Sequence, residues 1–138
     1  MADASSSAGA MGLMQLLPAT AKRQAKRSKV KYKGRSTLLQ PNTNIRLGTG
    51  YLAAMLDNFD DNLAIAAAAY NAGPHRVKRW LTEELPQDRW VESIPFRETR
   101  SYVKNVLAYT VIYQNHLKHP ADLPQQDINP AVMAIFKR

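Results

Sequence analysis

A nearly uninterrupted apolar segment, NLAIAAAAYNAGP at residues 62–74, most constrains how this chain folds. The segment predicts a helix, and a helix that is apolar on every side is usually buried at the centre of a domain. Gly73 and Pro74 predict where it ends, because glycine terminates helices and proline cannot continue them. We therefore expect one domain packed around this helix, and 138 residues are enough for a single core.

The rest of the chain also predicts helices, and no segment alternates as a strand would. Further helices are expected at residues 18–27, 45–59, 75–81 and 97–117. Pro18 suits the first turn of one of them, and Asn42 or Thr43 is expected to cap the next. Residues 29–41 predict an irregular connection, 83–96 a loop, and 118–138 an arm on the surface. The fold class is therefore all-α, with residues 1–117 as one domain.

Two glycines, Gly48 and Gly50, fall inside the helix expected around residues 45–59. Glycine destabilises a helix interior by about 1 kcal/mol relative to alanine. The pair therefore predicts that another backbone approaches this helix closely.

The positive charge of the chain is concentrated in one segment. Residues 22–35, KRQAKRSKVKYKGR, hold eight basic side chains and no acid, which leaves eleven basic against eleven acidic residues elsewhere. Such a block indicates a polyanionic partner: nucleic acid, anionic lipid, or a cell-wall glycan bearing carboxylated peptides. The structural alternative is a solvated surface that keeps the domain soluble. Only Tyr32 interrupts the block and no nucleic-acid motif is present, which argues against nucleic acid.

Composition and spacing exclude several other classes of site. No apolar run approaches the about 20 residues of a membrane helix, and MADASSS at the start lacks the regions of a signal peptide. The chain has no cysteine, so disulfides and thiolate metal sites are excluded. His75, His116 and His119 lack zinc-type spacing with carboxylates, and DNFDDN lacks the glycine and distal Glu of a calcium loop. We expect neither a metal nor another cofactor.

Polar or aromatic side chains stand at the ends of three apolar elements, where packing alone does not require them. Gln15 interrupts an apolar run, Tyr70 and Asn71 end the central helix, and Glu98 and Tyr102 lie one turn apart. Ends of elements that meet at a cleft commonly hold ligands. Each has a structural alternative: Gln15 as a donor to a loop carbonyl, Asn71 as a helix cap, and Glu98 as a first-turn carboxylate.

The segments SSAGAMGLMQLLPATA, AAAAYNAGP and VESIPFRETRSYVKNVLAY, in this order, resemble the catalytic domain of the soluble lytic murein transglycosylases. That family is lysozyme-like and close to goose-type lysozyme, and the resemblance covers about residues 5–113. It implies a helical lysozyme-like fold that binds peptidoglycan strands in the periplasm. It also implies cleavage between N-acetylmuramic acid and N-acetylglucosamine without water, leaving a 1,6-anhydro end.

The resemblance assigns substrate-binding residues position by position. Gln15 resembles the amide that lines the cleft beside the catalytic acid, and Tyr70 and Asn71 resemble residues that hold sugar and acetamido groups. Glu98 resembles the substrate-binding carboxylate, with Tyr102 beside it. The neighbouring residues of the first motif that complete the substrate-binding set are Ser6, Met14 and Leu17, the last standing where related sequences often have Met.

The implied chemistry needs one carboxylic acid, which protonates the leaving oxygen and then takes the proton of the attacking C6 hydroxyl. In the family this acid belongs to a Glu-Ser pair that precedes the GLMQ segment. Counting back from Gln15 places it before Met1, and the first Glu of this chain is Glu83. We therefore expect the chain to lack both the acid and the helix that carries it.

Two consequences are expected of such a chain. It should be inactive alone, and the apolar surface left by the missing helix should favour self-association. Two other functions compete with the transglycosylase domain: an inactive peptidoglycan-binding fragment, and a basic helical module that binds nucleic acid.

Overall fold

The computed structural model describes residues 4–118, and these form α-helices joined by short loops. The helices are α1 (Pro18–Arg27), α2 (Arg35–Leu38), α3 (Pro41–Asn58), α4 (Leu63–Ala72), α5 (Pro74–Trp80), α6 (Gln87–Ser93) and α7 (Arg97–Lys118). Within this part of the chain the extended backbone is limited to isolated bridges around Met11, so the predicted all-α class is confirmed. The arm expected at 118–138 lies outside the described residues beyond Lys118.

The described chain divides into two compact units, residues 4–53 and 54–118. The first unit begins with a tight loop in which Met11 and Leu16 exchange both backbone hydrogen bonds, at 2.9 and 3.0 Å. Both side chains are buried. The loop turns at Gly12 and Gln15, which have φ angles of 75° and 48°. Helix α1 then begins at Pro18, as predicted, and buries Ala21 and Ala25.

Two predictions for the first unit were wrong. The segment 29–41, expected to be irregular, contains α2, because the side chains of Thr37 and Leu38 are buried and fix a helical turn there. Helix α3 begins at Pro41, so Asn42 and Thr43 lie inside its first turn and are not the cap. Proline favours this start for the same reason as at Pro18, since its missing N–H is not needed in the first turn.

The second unit is built around α4, whose middle residues, Ala66 to Ala69, are fully buried. Asn62 caps this helix, with its Oδ1 accepting a hydrogen bond from the Ile65 N–H at 3.0 Å. Gly73, with a φ of 96°, ends it, and α5 begins at Pro74. Helix α4 packs against α5 and α7, so the central position predicted from its sequence is confirmed.

The prediction of a loop at residues 83–96 was also wrong, because this segment contains α6. Trp90 is only 3% exposed and Val91 is buried beside it. The Trp90 Nε1–H donates to the Trp80 carbonyl oxygen at 3.3 Å. Helix α6 packs against α7, and the burial of these two side chains stabilises it. Pro86 and Pro95 on either side made the segment look like a loop in the sequence.

Helix α7 runs over the residues predicted, but only its first part is buried. Thr99 and Val103 lie in the core. Four large apolar or aromatic side chains further along are about half exposed: Tyr109, Val111, Ile112 and Tyr113. Among the helices of residues 4–118, none is long and apolar enough to cross a membrane.

Candidate functional site

The eight predicted site residues fall in both units. Ser6, Met14, Gln15 and Leu17 belong to the unit of residues 4–53, where they lie on the loop before α1 or at its start. Tyr70, Asn71, Glu98 and Tyr102 belong to the unit of residues 54–118, at the end of α4 and the start of α7.

The loop that carries Met14 and Gln15 is held by one buried side chain, Asn44 of α3, which is 1% exposed. Its Oδ1 accepts a hydrogen bond from the Met14 N–H at 2.7 Å. Its Nδ2 donates to the carbonyl oxygens of Met11 and Leu38, both at 2.9 Å. The amide thus fixes the loop to α3 and to the end of α2. Sequence reasoning missed Asn44, although an Asn at the start of an apolar helical pattern was the available signal.

Glycines allow the loop and α1 to approach α3. A Cβ placed on Gly48 would lie 2.6 Å from Cγ of Met14, and one placed on Gly50 would lie 2.6 Å from Nε2 of Gln24. Both distances are far shorter than van der Waals contact. The predicted approach of a second backbone was therefore wrong, because the side chains of Met14 and Gln24 occupy the space that the missing Cβ atoms leave.

Replacing Gly48 by Ala is expected to lower the free energy of unfolding by about 1–2 kcal/mol, since overpacking outweighs the gain in helix propensity. The obstructing atoms of Met14 include Cβ, which moves only with the loop backbone. Gly50→Ala is the matched control, because the terminal amide of Gln24 can rotate away, and we expect a change near zero. Urea unfolding measures both, and equal destabilisation by the two variants would contradict this account.

Gln15 is exposed and uses its amide nitrogen within the loop. Its Nε2 donates to the carbonyl oxygens of Gly12 at 2.9 Å and Ala4 at 3.3 Å. The structural alternative, a donor to loop carbonyls, is therefore correct for this nitrogen. Within residues 4–118 the amide oxygen accepts no hydrogen bond.

The surroundings of Gln15 combine apolar and polar groups at the surface. Leu13 and Leu17 are 48% and 45% exposed on either side of it. The hydroxyl oxygen of Ser6 is also at the surface and accepts a hydrogen bond from the Ala10 N–H at 3.0 Å. Exposed apolar side chains next to hydrogen-bonding groups match the two kinds of surface that a sugar ring presents.

In the second unit, a buried hydroxyl orients Asn71. The Thr99 Oγ1 donates to Oδ1 of Asn71 at 2.7 Å, and Thr99 is 2% exposed. This contact joins the end of α4 to the first turn of α7. The cap expected as an alternative role for Asn71 is instead at Gly73, and the Nδ2 of Asn71 donates to no group within the described residues.

Glu98 and Tyr102 lie on one face of α7, four residues apart. Glu98 is exposed and forms no ion pair among residues 4–118. Tyr102 is half-buried, and burial raises the pKa of its hydroxyl above the ordinary value of 10.0. Its hydroxyl therefore remains a hydrogen-bond donor at neutral pH. Tyr70 is also half-buried, next to Asn71 in sequence.

Replacing Thr99 by Val is expected to lower the free energy of unfolding by about 1 kcal/mol, because the Asn71 amide loses its donor. Combining it with Asn71→Ala in a double-mutant cycle, measured by urea unfolding, should give a coupling free energy of similar size. Thr99→Ser keeps the hydroxyl and serves as the control. Additive effects of the two substitutions would show that the hydrogen bond contributes nothing.

The described residues do not bring together side chains that could bind a metal ion. Among residues 4–118, no group of three or more His, Cys, Asp and Glu side chains could hold an ion. A cleft of about 410 Å³ lies in the second unit, lined by residues such as Leu81, Glu84 and Trp90, and contains none of the predicted site residues. The eight predicted site residues supply two amides, three hydroxyls, one carboxylate and two apolar side chains.

Comparison with known protein families gives one consistent result. The family described as Transglycosylase SLT domain matches residues 1–92, and the family described as Soluble lytic transglycosylase helical domain matches residues 93–121. The soluble lytic murein transglycosylase of Salmonella typhimurium is 48% identical over 113 residues, which are 79% of this chain and 18% of that protein.

Two solved structures are similar to the chain. One is an inactive Glu-to-Gln mutant of the lytic transglycosylase Slt from Pseudomonas aeruginosa, with a TM-score of 0.79 and 47% identity over 93% of this chain and 21% of that one. The other is a 70-kDa soluble lytic transglycosylase in complex with bulgecin A, with a TM-score of 0.76 and 42% identity over 84% and 19%. This chain spans about a fifth of the length of these proteins. The predicted lysozyme-like, all-α fold is confirmed by these neighbours.

Proposed function

Because the chain belongs to the soluble lytic murein transglycosylase family, we propose that it binds peptidoglycan strands as part of a lytic transglycosylase domain. The family match over residues 1–92 carries this proposal, since it includes both the GLMQ loop and the end of α4. We propose residues 1–117 as this domain and the periplasm, where murein lies, as its location.

In the first unit we assign binding to the loop before α1. The free amide oxygen of Gln15 accepts a hydrogen bond from a sugar hydroxyl or acetamido N–H. Leu17 and Met14 provide apolar contact with a pyranose face, and Ser6 adds a hydroxyl at the surface. The hydrogen bonds of Asn44 support this assignment, because they hold the loop in one conformation before a ligand arrives.

In the second unit we assign binding to the end of α4 and the start of α7. Asn71, oriented by Thr99, donates through Nδ2 to an acetamido carbonyl. Glu98 accepts hydrogen bonds from sugar hydroxyls, and charge-assisted bonds of this kind are stronger than neutral ones. Tyr70 and Tyr102 contribute ring contacts, and Tyr102 also a hydroxyl donor.

The reaction of the family breaks the bond between the anomeric carbon and the leaving oxygen and forms a bond from that carbon to the C6 oxygen. One carboxylic acid gives its proton to the leaving oxygen and then receives the proton of the C6 hydroxyl, so no water is consumed. Burial in an apolar pocket is the usual way in which a single catalytic carboxylic acid is kept protonated near neutral pH. Glu98 is exposed, so we assign it to binding and not to proton transfer.

We therefore propose that the 138-residue chain by itself binds peptidoglycan without cleaving it. None of the other assigned residues is a carboxylic acid. The inactivity of the Glu-to-Gln mutant of the similar Pseudomonas aeruginosa protein supports a requirement for one Glu.

Sedimentation with insoluble murein sacculi tests the binding proposal. The chain should pellet with sacculi and remain soluble with cellulose particles, which lack acetamido groups. Bulgecin A, bound by one of the structural relatives, should release the chain from sacculi. Equal pelleting with both polymers would overturn the proposal.

Self-association is a separate proposal for this chain. The half-exposed side chains of α7, among them Tyr109 and Ile112, supply apolar surface that would favour it. Analytical ultracentrifugation should show dimers or larger species at micromolar concentration. A monomer over the whole concentration range would contradict this proposal.

A further inference from the structure

The first unit carries a concentration of positive charge that its fold leaves uncompensated. We call this the basic surface, and its eight side chains, all exposed, are Lys22, Arg23, Lys26, Arg27, Lys29, Lys31, Lys33 and Arg35. No Asp or Glu occurs between residues 4 and 56. None of the eight pairs with a carboxylate among the described residues. The charges therefore repel one another, and an anionic partner would lower their electrostatic free energy.

The arrangement of these side chains is regular. Four lie on the solvent side of α1. In the segment that follows, exposed and half-buried side chains alternate. Lys29, Lys31 and Lys33 are exposed, and Val30 and Tyr32 between them are half-buried. All three lysines are therefore at the surface. The exposed Arg46 of α3 adds a ninth positive charge next to the end of α1. Its Nη2 donates to the carbonyl oxygen of Ser28 at 3.4 Å.

The same geometry argues against two classes of anionic partner. The apolar side of α1, formed by Ala21 and Ala25, is buried, so the helix has no apolar face to insert into a lipid surface. Tyr32 is the single aromatic residue of the segment and is half-buried, so it offers no platform on which nucleic-acid bases could stack. The surface suits a flexible polymer with spaced carboxylates.

The basic surface is also near the loop to which we assign glycan binding. Helix α1 begins directly after Leu17, and its ten residues extend for about 15 Å. An extended peptide of about five residues reaches about 17 Å. A stem peptide attached to a sugar held at Gln15 and extended along α1 would therefore span the stretch that carries Lys22, Arg23, Lys26 and Arg27.

We propose that the basic surface binds the carboxylates of the stem peptides carried by the glycan strand. This inference rests on the proposed function, because it requires that the strand be held by the Gln15 loop. The domain would then prefer strands that bear peptides over bare glycan. The contribution is electrostatic and falls as ionic strength shortens the screening length.

The test compares two kinds of strand and two triple variants. Glycan strands are immobilised either with their stem peptides or after an amidase has removed them, and binding is measured by interferometry. The first variant carries Lys22→Gln, Lys26→Gln and Arg27→Gln, all exposed on α1. The control carries Lys78→Gln, Arg79→Gln and Arg89→Gln, which remove the same charge from exposed positions of the second unit.

The unmodified chain should bind stem-bearing strands about tenfold more tightly than bare ones, since several exposed ion pairs that are weak individually act together. The first variant should lose this preference and keep its affinity for bare strands, and the control should keep both. Equal affinity of the unmodified chain for the two strands, or equal losses in the two variants, would overturn the proposal.

Two further measurements separate this inference from others. Tighter binding to vesicles containing phosphatidylglycerol, or to a DNA duplex, than to stem-bearing strands would overturn it in favour of those partners. Failure of the unmodified chain to bind bare strands would instead contradict the assignment of glycan binding to the Gln15 loop. Different outcomes of these experiments would therefore contradict the proposed function and the role of the basic surface.

Discussion

Replacing Asn44 by Asp is expected to lower the free energy of unfolding by about 4 kcal/mol, the largest effect of any single substitution considered for this chain. The Asn44 amide is buried and makes three hydrogen bonds, two of them as a donor to the carbonyl oxygens of Met11 and Leu38. An aspartate could still accept from the Met14 N–H. It would, however, place a negative charge against two carbonyl oxygens that no longer have a donor.

Asn42→Asp is the matched control for this substitution. It makes the same chemical change on the same helix, but Asn42 is exposed and lies in the first turn of α3, where an acid is tolerated or slightly favoured. Urea unfolding monitored by circular dichroism measures both variants. If Asn44→Asp were as stable as Asn42→Asp, the GLMQ loop would not depend on Asn44 as described.

The second large effect is expected on binding and not on stability. Glu98→Gln should weaken binding to murein about tenfold, because a charge-assisted hydrogen bond to a sugar becomes a neutral one. Glu98 is exposed and pairs with no cation among residues 4–118, so its substitution should change the free energy of unfolding by only a few tenths of a kcal/mol.

Asp88→Asn distinguishes this role from the structural alternative. Asp88 is an exposed acid in the first turn of α6, as Glu98 is in the first turn of α7, so the two have the same relation to a helix dipole. If Glu98 served the helix alone, both variants would lose a little stability and neither would lose affinity. Isothermal titration with soluble muropeptides and thermal unfolding together decide between the two roles.

The helices that sequence predicted correctly are those with local signals. Helix α1 begins at a proline, α4 is a continuous apolar run that Gly73 ends, and α7 has a long helical repeat. Helices α2 and α6 were missed because they are short and lie among prolines and glycines. They are stabilised by the burial of Leu38 and Trp90, which depends on residues distant in sequence.

The candidate site residues stay predictions, because only the sequence motifs name them. The residues of GLMQ, AYN and ETRSY could be named from the resemblance, but their hydrogen bonds could not. Asn44 and Thr99 orient Met14 and Asn71 from 30 and 28 residues away, and nothing in the sequence near either residue indicates its partner. Gln15 illustrates the limit most clearly, because its amide nitrogen binds loop carbonyl oxygens, as the structural alternative expects, while the proposed role of its amide oxygen stays a prediction.

The most direct test of the central claim is product analysis after incubation of the purified 138-residue chain with murein sacculi. Mass spectrometry of the soluble fraction looks for 1,6-anhydromuropeptides, and a full-length soluble lytic murein transglycosylase of Salmonella typhimurium is the positive control. The same samples report how much of the chain is bound to the pellet. We expect the chain to be bound and the anhydro products to be absent. Anhydro products released by the chain, and lost in Glu98→Gln, would contradict the account and assign proton transfer to Glu98.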